Sequence, residues 1–165
     1  MELTIRETGW GPWKSKYKRH HYLPDAGPMG YSTAYEGSID GEGVCFIGIS
    51  GMVTGKSKRE ARVCRMVVLP EWQGAGVGMK FLEWVAEREL RGKGFIGKPV
   101  NTIMHSAHPA LAVSLRRNPK WRQISQRLYG GSRDEHTGMG GHLRSVQGFR
   151  YHGAAGIEAA RRKAA

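Results

Sequence analysis

The chain has 165 residues, enough for one domain with its own hydrophobic core. A hydrophobic fraction of 39% lies above the disordered range, two cysteines exclude a disulfide scaffold, and no apolar run approaches the length of a membrane helix. The charge is lopsided: 26 Lys+Arg against 14 Asp+Glu leave a net +12, a field that favours anionic partners.

Residues 1–30 read as an irregular segment in which aromatic and basic side chains alternate, from Trp10 and Trp13 through Lys14, Lys16, Tyr17, Lys18, Arg19, His20 and His21 to Tyr22. Tyr31 to Glu36 reads as a strand, Asp40-Gly41 as a hairpin turn, and Val44 to Ser50 as a second strand rich in β-formers. Gly51 to Arg59 reads as a basic loop, and Ala61 to Leu69 as a third strand, the most apolar of all. Cys45 and Cys64 fall inside these strands and are expected to be buried free thiols.

After Gly78 the period changes. Val77, Phe81, Leu82, Val85 and Ala86 recur at helical spacing and predict a helix over 76–91, stopped by Gly92 and Gly94. Val100 to Met104 reads as a strand and Pro109 to Arg117 as a helix opened by its proline. Trp121 to Tyr129 reads as a strand, Gly130 to Gly141 as a glycine-rich loop, and Val146 to His152 as the last strand. The tail from Ile157 reads as a short basic helix or disordered chain. This order predicts a single mixed α/β domain over 1–165, with a basic aromatic segment at 1–30 and a basic tail at 157–165.

Gly74, Gly76 and Gly78 stand between a buried strand and an amphipathic helix. A helix start presents unpaired N–H groups and the positive end of the dipole, and glycines let an anion come close to them. Two patterns that use this physics are excluded. The third glycine is misplaced for a dinucleotide fingerprint, with no acidic residue at the required distance. Gly51-Met52-Val53-Thr54-Gly55-Lys56-Ser57 is one residue short of a P-loop and leads into a strand instead of a helix, so it reads as a solvated loop.

Gln73-Gly74-Ala75-Gly76-Val77-Gly78, preceded by an apolar strand ending in Val68-Leu69-Pro70 and followed by a helix, resembles the coenzyme A signature of the GNAT acetyltransferases. The resemblance covers residues 61–91 in sequence and most of the chain in element order. It implies a central, mostly antiparallel sheet flanked by helices, with one splayed strand pair. It also implies acetyl-CoA as cosubstrate, with Met66, Val67 and Val68 lying along the pantetheine arm. The pyrophosphate would fall on Gln73, Gly74, Ala75, Gly76, Val77 and Gly78.

Amine acylation needs a base and an acid. The resemblance implies a Glu on the strand before the loop and a Tyr on the later helix. Here the strand offers Arg62 and Arg65, with Glu60 as the nearby acid, and Ser114 stands near the tyrosine slot. Histidines suit proton transfer at neutral pH, and His21, His105 and His108, with Ser106, are the candidates. No metal is assigned, since sequence does not show whether His20, His21 and His105 converge.

His20-His21-Tyr22-Leu23, the stretch from Arg65 to Gly74, His105-Ser106-Ala107-His108-Pro109-Ala110-Leu111 and Gln147-Gly148-Phe149-Arg150-Tyr151 together resemble a phage and prophage branch of that superfamily. That branch includes enzymes similar to the Mom DNA-modification proteins, and it implies a base in DNA as acceptor. The charge agrees, because phosphates attract Lys and Arg while extruded bases stack on aromatics. Lys16, Lys18, Arg19, His20, Tyr22, Arg65 and Tyr151 are the expected acceptor contacts. A small-amine or protein N-acetyltransferase, and a non-catalytic nucleic-acid-binding domain, stay open. A cytoplasmic setting, without membrane contact, is expected.

Overall fold

The computed structural model describes residues 2–21, 27–54, 58–129 and 144–164. It is a mixed α/β architecture of mostly antiparallel strands with flanking helices, as the sequence predicts. The chain divides into two compact units, Met1–Thr102 and Ile103–Ala165.

The first unit is an antiparallel run of β1 (Thr4–Thr8), β2 (Ser32–Ile39), β3 (Glu42–Thr54) and β4 (Lys58–Val68), followed by α1 (Val77–Leu90). Asp40 and Gly41 adopt positive φ, 50° and 81°, the mirror-image turn whose twist suits a two-residue hairpin. Residues Val44 to Ser50 are buried without interruption, because this strand is covered on both faces. β3 runs on to Thr54, so Gly51 to Thr54 are strand and not the loop the sequence suggested. The remaining P-loop-like residues, 55–57, lie outside the described residues.

The basic aromatic segment is more ordered than its sequence suggests. β1 is a short charged edge strand with one apolar residue, Ile5, too weak a pattern to read. Trp13–Tyr17 forms a wide helical turn and Lys18–His20 a tighter one. Trp13 and Tyr17, four residues apart, both turn inward onto Phe46, at 5.5 and 5.4 Å between ring centroids. Ala34, Val67 and Leu69 complete this cluster. Tyr17 donates to Glu36 Oε1 (3.0 Å), whose other oxygen accepts from Arg6 (2.9 Å). Burial, then Glu36, pushes the Tyr17 hydroxyl pKa up.

α1 covers the opposite face of the strands through Phe81, Leu82, Val85 and Ala86. Its buried Glu89 accepts from the backbone N–H of Phe95 (2.7 Å) and Ile96 (3.3 Å), tying down the loop that follows the helix.

The second unit holds β5 (Thr102–Ser106), β7 (Arg144–Tyr151) and β6 (Trp121–Tyr129), antiparallel in that spatial order, with α2 (Pro109–Arg117) packed on β6. α2 and β6 have the bounds expected from sequence. α3 (Ala154–Ala164) begins three residues before the expected tail. The glycine-rich loop expected at 130–141 lies outside the described residues. Trp121 and Tyr151 are buried and pack edge to face at 4.9 Å. Tyr151, expected at the acceptor, is therefore a core residue. Its place at the end of β7, directly opposite Trp121, decides that.

Candidate functional site

β4 ends at Val68, and a single 3₁₀ turn, Pro70–Trp72, carries the chain to Gln73. Gln73 anchors the turn twice: its N–H donates to Pro70 O (3.2 Å) and its side-chain amide to Val68 O (2.9 Å). Gly74 and Gly76 have φ of 83° and 78°, values that only glycine adopts without strain. A Cβ at either would meet nothing within 4 Å. Their backbone therefore faces open space, and residues 73–76 are exposed.

Gly76 is the N-cap of α1, and no side chain caps the helix there. The first-turn N–H groups at Val77, Gly78 and Met79 thus point out with the positive end of the dipole. Gly78 serves packing instead. A Cβ there would come within 3.0 Å of Val68 and 3.2 Å of Met66, so its absence lets α1 lie close on β4. Loop, uncapped helix and open approach fit the pyrophosphate of a coenzyme. Val67 points into the core, while Met66 and Val68 point to α1, leaving only backbone from these three for a ligand.

β4 is not regular. Gly48 faces Arg65, and Ile49 faces Val63, so Cys64 is the extra residue of a bulge. A bulge bends its strand and re-aims the neighbouring side chains. It leaves Cys64 half-buried, against the expectation of full burial, while Cys45 is fully buried. Both are free; burial pushes the Cys45 thiol up to about 12 and raises Cys64 as well.

The candidate proton carriers sit in different surroundings. His21 is buried, its ring edge-on to Trp13 at 5.2 Å. His108 is the N-cap of α2, its Nδ1 accepting from Leu111 N–H (3.4 Å), and its own N–H donates to Ser106 Oγ (3.0 Å). Ser114 donates back to Ala110 O (3.0 Å) along its own helix. Ser106, His108 and Ser114 are thus engaged in shaping α2. His105 is half-buried opposite Gly148, and its Nε2 lies 3.0 Å from where a Cβ of Gly148 would stand. Ser125 leans over the same glycine from the other side. No pattern in the sequence singles out Ser125, because only strand register shows that β5 and β6 flank Gly148. Glu60 is fully buried and accepts from Thr54 Oγ1 (2.9 Å).

Of the expected acceptor contacts, Lys16 lies 3.5 Å from Glu42, Lys18 is half-buried, and Arg19 donates to His20 (3.2 Å). Arg65 donates from both terminal nitrogens to backbone, at Cys64 O (2.6 Å) and Gly27 O (3.1 Å). Tyr22 lies outside the described residues. Among the described residues, no three His, Cys, Asp or Glu side chains come together as metal ligands, and no helix is long and apolar enough to cross a membrane.

No family model and no curated protein matches the sequence. Solved structures do match. The IAA acetyltransferase of Bacillus cereus superposes with a TM-score of 0.66 at 13% identity, over 91% of this chain and 99% of that one. The fold is that of the GNAT acetyltransferases. A GNAT family acetyltransferase from Elizabethkingia anophelis, solved with acetyl-CoA bound, matches at 0.58 and 12% identity over 90% of this chain and 97% of its own. The polyamine N-acetyltransferase of Drosophila melanogaster matches at 0.60 and 15% identity, over 92% and 100%. At such identities the GNAT likeness is one of fold.

Proposed function

We propose that the protein is an acyltransferase that holds acetyl-CoA on the loop Gln73–Gly78 and acylates a base in DNA. The observation that carries the first half is the exposed loop with two left-handed glycines opening directly into the uncapped start of α1. Bound there, the coenzyme supplies an activated acyl thioester. The chain's part is to fix the pyrophosphate with the N–H groups of residues 74–79 and to handle the acceptor's proton. Among His21, His105 and His108, His105 is neither in the core nor capping a helix, and we assign it that proton.

Calorimetry with acetyl-CoA tests the loop. Gly76→Asp places a carboxylate where the phosphates belong and removes binding. Gly76→Asn, which tolerates the same φ without charge, retains most of it. Equal affinity in wild type and Gly76→Asp places the coenzyme elsewhere.

The DNA half rests on the +12 charge and on its distribution. In the second unit a cavity of about 500 Å³ is lined by Arg122, Gln123, Ile124, Arg150 and His152. Arg122 and Arg150 stand directly opposite across β6 and β7 and concentrate positive charge on this part of the surface. The resemblance to the Mom-like branch supports the same acceptor. Mass spectrometry of nucleosides from DNA exposed to the protein and acetyl-CoA is the test. Unmodified nucleosides alongside acetyl-CoA turnover on a polyamine or peptide would move the acceptor to a small amine or protein.

A further inference from the structure

On the face of β2–β4 that carries Trp13 and Phe46, the register brings together a row of small residues. Ser32 pairs with Ser50 and Ala34 with Gly48. On the β4 side, Arg62 faces Ser50 and Arg65 faces Gly48. Side chains directly opposite one another share a face, so both arginines border this floor. Trp10 stands above it, its ring edge in contact with the position that a Gly48 Cβ would take; Cys64 Sγ lies 3.2 Å from that point.

Four buried polar atoms at this place have no hydrogen-bond partner of ordinary strength: Trp10 Nε1, Ser50 Oγ, Arg62 Nε and Arg65 Nε. Ser50 is 3% exposed, and its hydroxyl lies beside the sulfur of Cys64, a weak acceptor. A buried polar atom left unpaired costs roughly 1–3 kcal/mol, so such groups are rare unless something else satisfies them. All four are donors, and the set contains no obligate acceptor. Arg65 cannot swing away, since its other nitrogens are held by Cys64 O and Gly27 O. Neither arginine makes an ion pair among the described residues. The acid on the same face, Glu60, is turned to Thr54. A site of fixed donors with two cationic groups selects a ligand made of acceptors and negative charge. A carboxylate offers two oxygens and one charge, whereas a phosphate offers three oxygens and matches this donor set better.

We propose that Trp10, Ser50, Arg62 and Arg65 form an anion-binding subsite that takes a phosphate of the acceptor. This rests on the acyltransferase reading for its purpose, but not for its chemistry. The acceptor is then a nucleotide or other phosphate ester, held by its phosphate beside the group that is acylated.

The test is calorimetry of the whole protein with a deoxynucleoside 5′-monophosphate and with the matching nucleoside, and separately with acetyl-CoA. The monophosphate binds at least about tenfold tighter than the nucleoside, the effect of roughly one charge-assisted hydrogen bond. Arg62→Met removes that ratio, and Ser50→Ala and Trp10→Phe each reduce it severalfold. Ser50→Ala deletes a donor and almost no volume, so it decides the matter where Arg62→Met or Trp10→Phe lowers the melting temperature. Acetyl-CoA affinity stays within about twofold in all three. A monophosphate that binds no better than the nucleoside, or a ratio unchanged in the three variants, overturns the subsite. Wild-type protein that prefers the phosphate but ignores acetyl-CoA keeps the subsite and retires the acyltransferase reading.

Discussion

Single residues in this protein are placed by the space and charge around them. Glu89 is an example. Burial raises its carboxyl pKa, and the two backbone donors at Phe95 and Ile96 partly oppose that. The folded state therefore holds the proton more tightly than the unfolded chain. Stability is greatest below the ordinary carboxyl value near 4.5 and falls as pH rises through the higher folded value, then levels off. Urea midpoints measured from roughly pH 4 to pH 7 should show this fall in wild type and lose it in Glu89→Gln. At neutral pH the same variant keeps one oxygen for two donors and should lose about 1 kcal/mol. Gly78 is placed by space alone. With Val68 and Met66 at 3.0 and 3.2 Å from a Cβ, Gly78→Val should cost about 1–3 kcal/mol by overpacking and weaken acetyl-CoA binding as α1 shifts, read by melting and calorimetry.

At the scale of elements, the ends of helices and the irregular points of strands matter more than their middles. α1 begins on a glycine with no capping side chain, while α2 begins on His108, whose ring nitrogen accepts from Leu111. The contrast separates a helix start without a side-chain cap from one closed by its own chain. His108→Ala should destabilise the protein by about 1 kcal/mol, and His108→Asn should restore most of it, as followed by thermal denaturation. Turnover that falls in the alanine variant and returns with Asn identifies His108 as a positioning residue; turnover lost in both identifies it as a proton carrier. The bulge at Cys64 works in the same way on β4, setting Cys64 and Arg65 side by side opposite Gly48.

Across the whole molecule, positive charge prevails. Arg6–Glu36, Lys16–Glu42 and Arg91–Glu87 pair within the first unit, and the described part of the second unit carries one acidic residue, Glu158, against many arginines. A polyanion bound by such a protein must release counterions, so its affinity falls with salt. Replacing Lys14, Lys16, Lys18 and Arg19 by Ala should lower the log–log salt slope of DNA binding by about 3 to 4, with Lys16 contributing least because Glu42 already holds it. Acetyl-CoA affinity should not change. Anisotropy across a salt series reads both, and a flat dependence in wild type removes nucleic acid as partner.

The sequence by itself determined the parts whose cause is local. The period from Val77 to Ala86 places α1 within a residue at each end, Pro109 and Pro119 bracket α2, and Asp40-Gly41 makes a hairpin. The tight turns at Gly74 and Gly76 were legible because glycines at positive φ are a backbone requirement written in single letters. Tertiary structure decided the rest. β1 has one apolar residue and exists because it pairs with β2, and the turn at Trp13–Tyr17 exists because Phe46 receives both rings. Tyr151 belongs to the core and not to the acceptor contacts because Trp121 lies opposite it. Trp10, Ser50 and Arg62 could not be grouped from sequence at all. Long-range register alone makes them neighbours, and no local pattern encodes which strand lies beside which or how a bulge shifts the pairing.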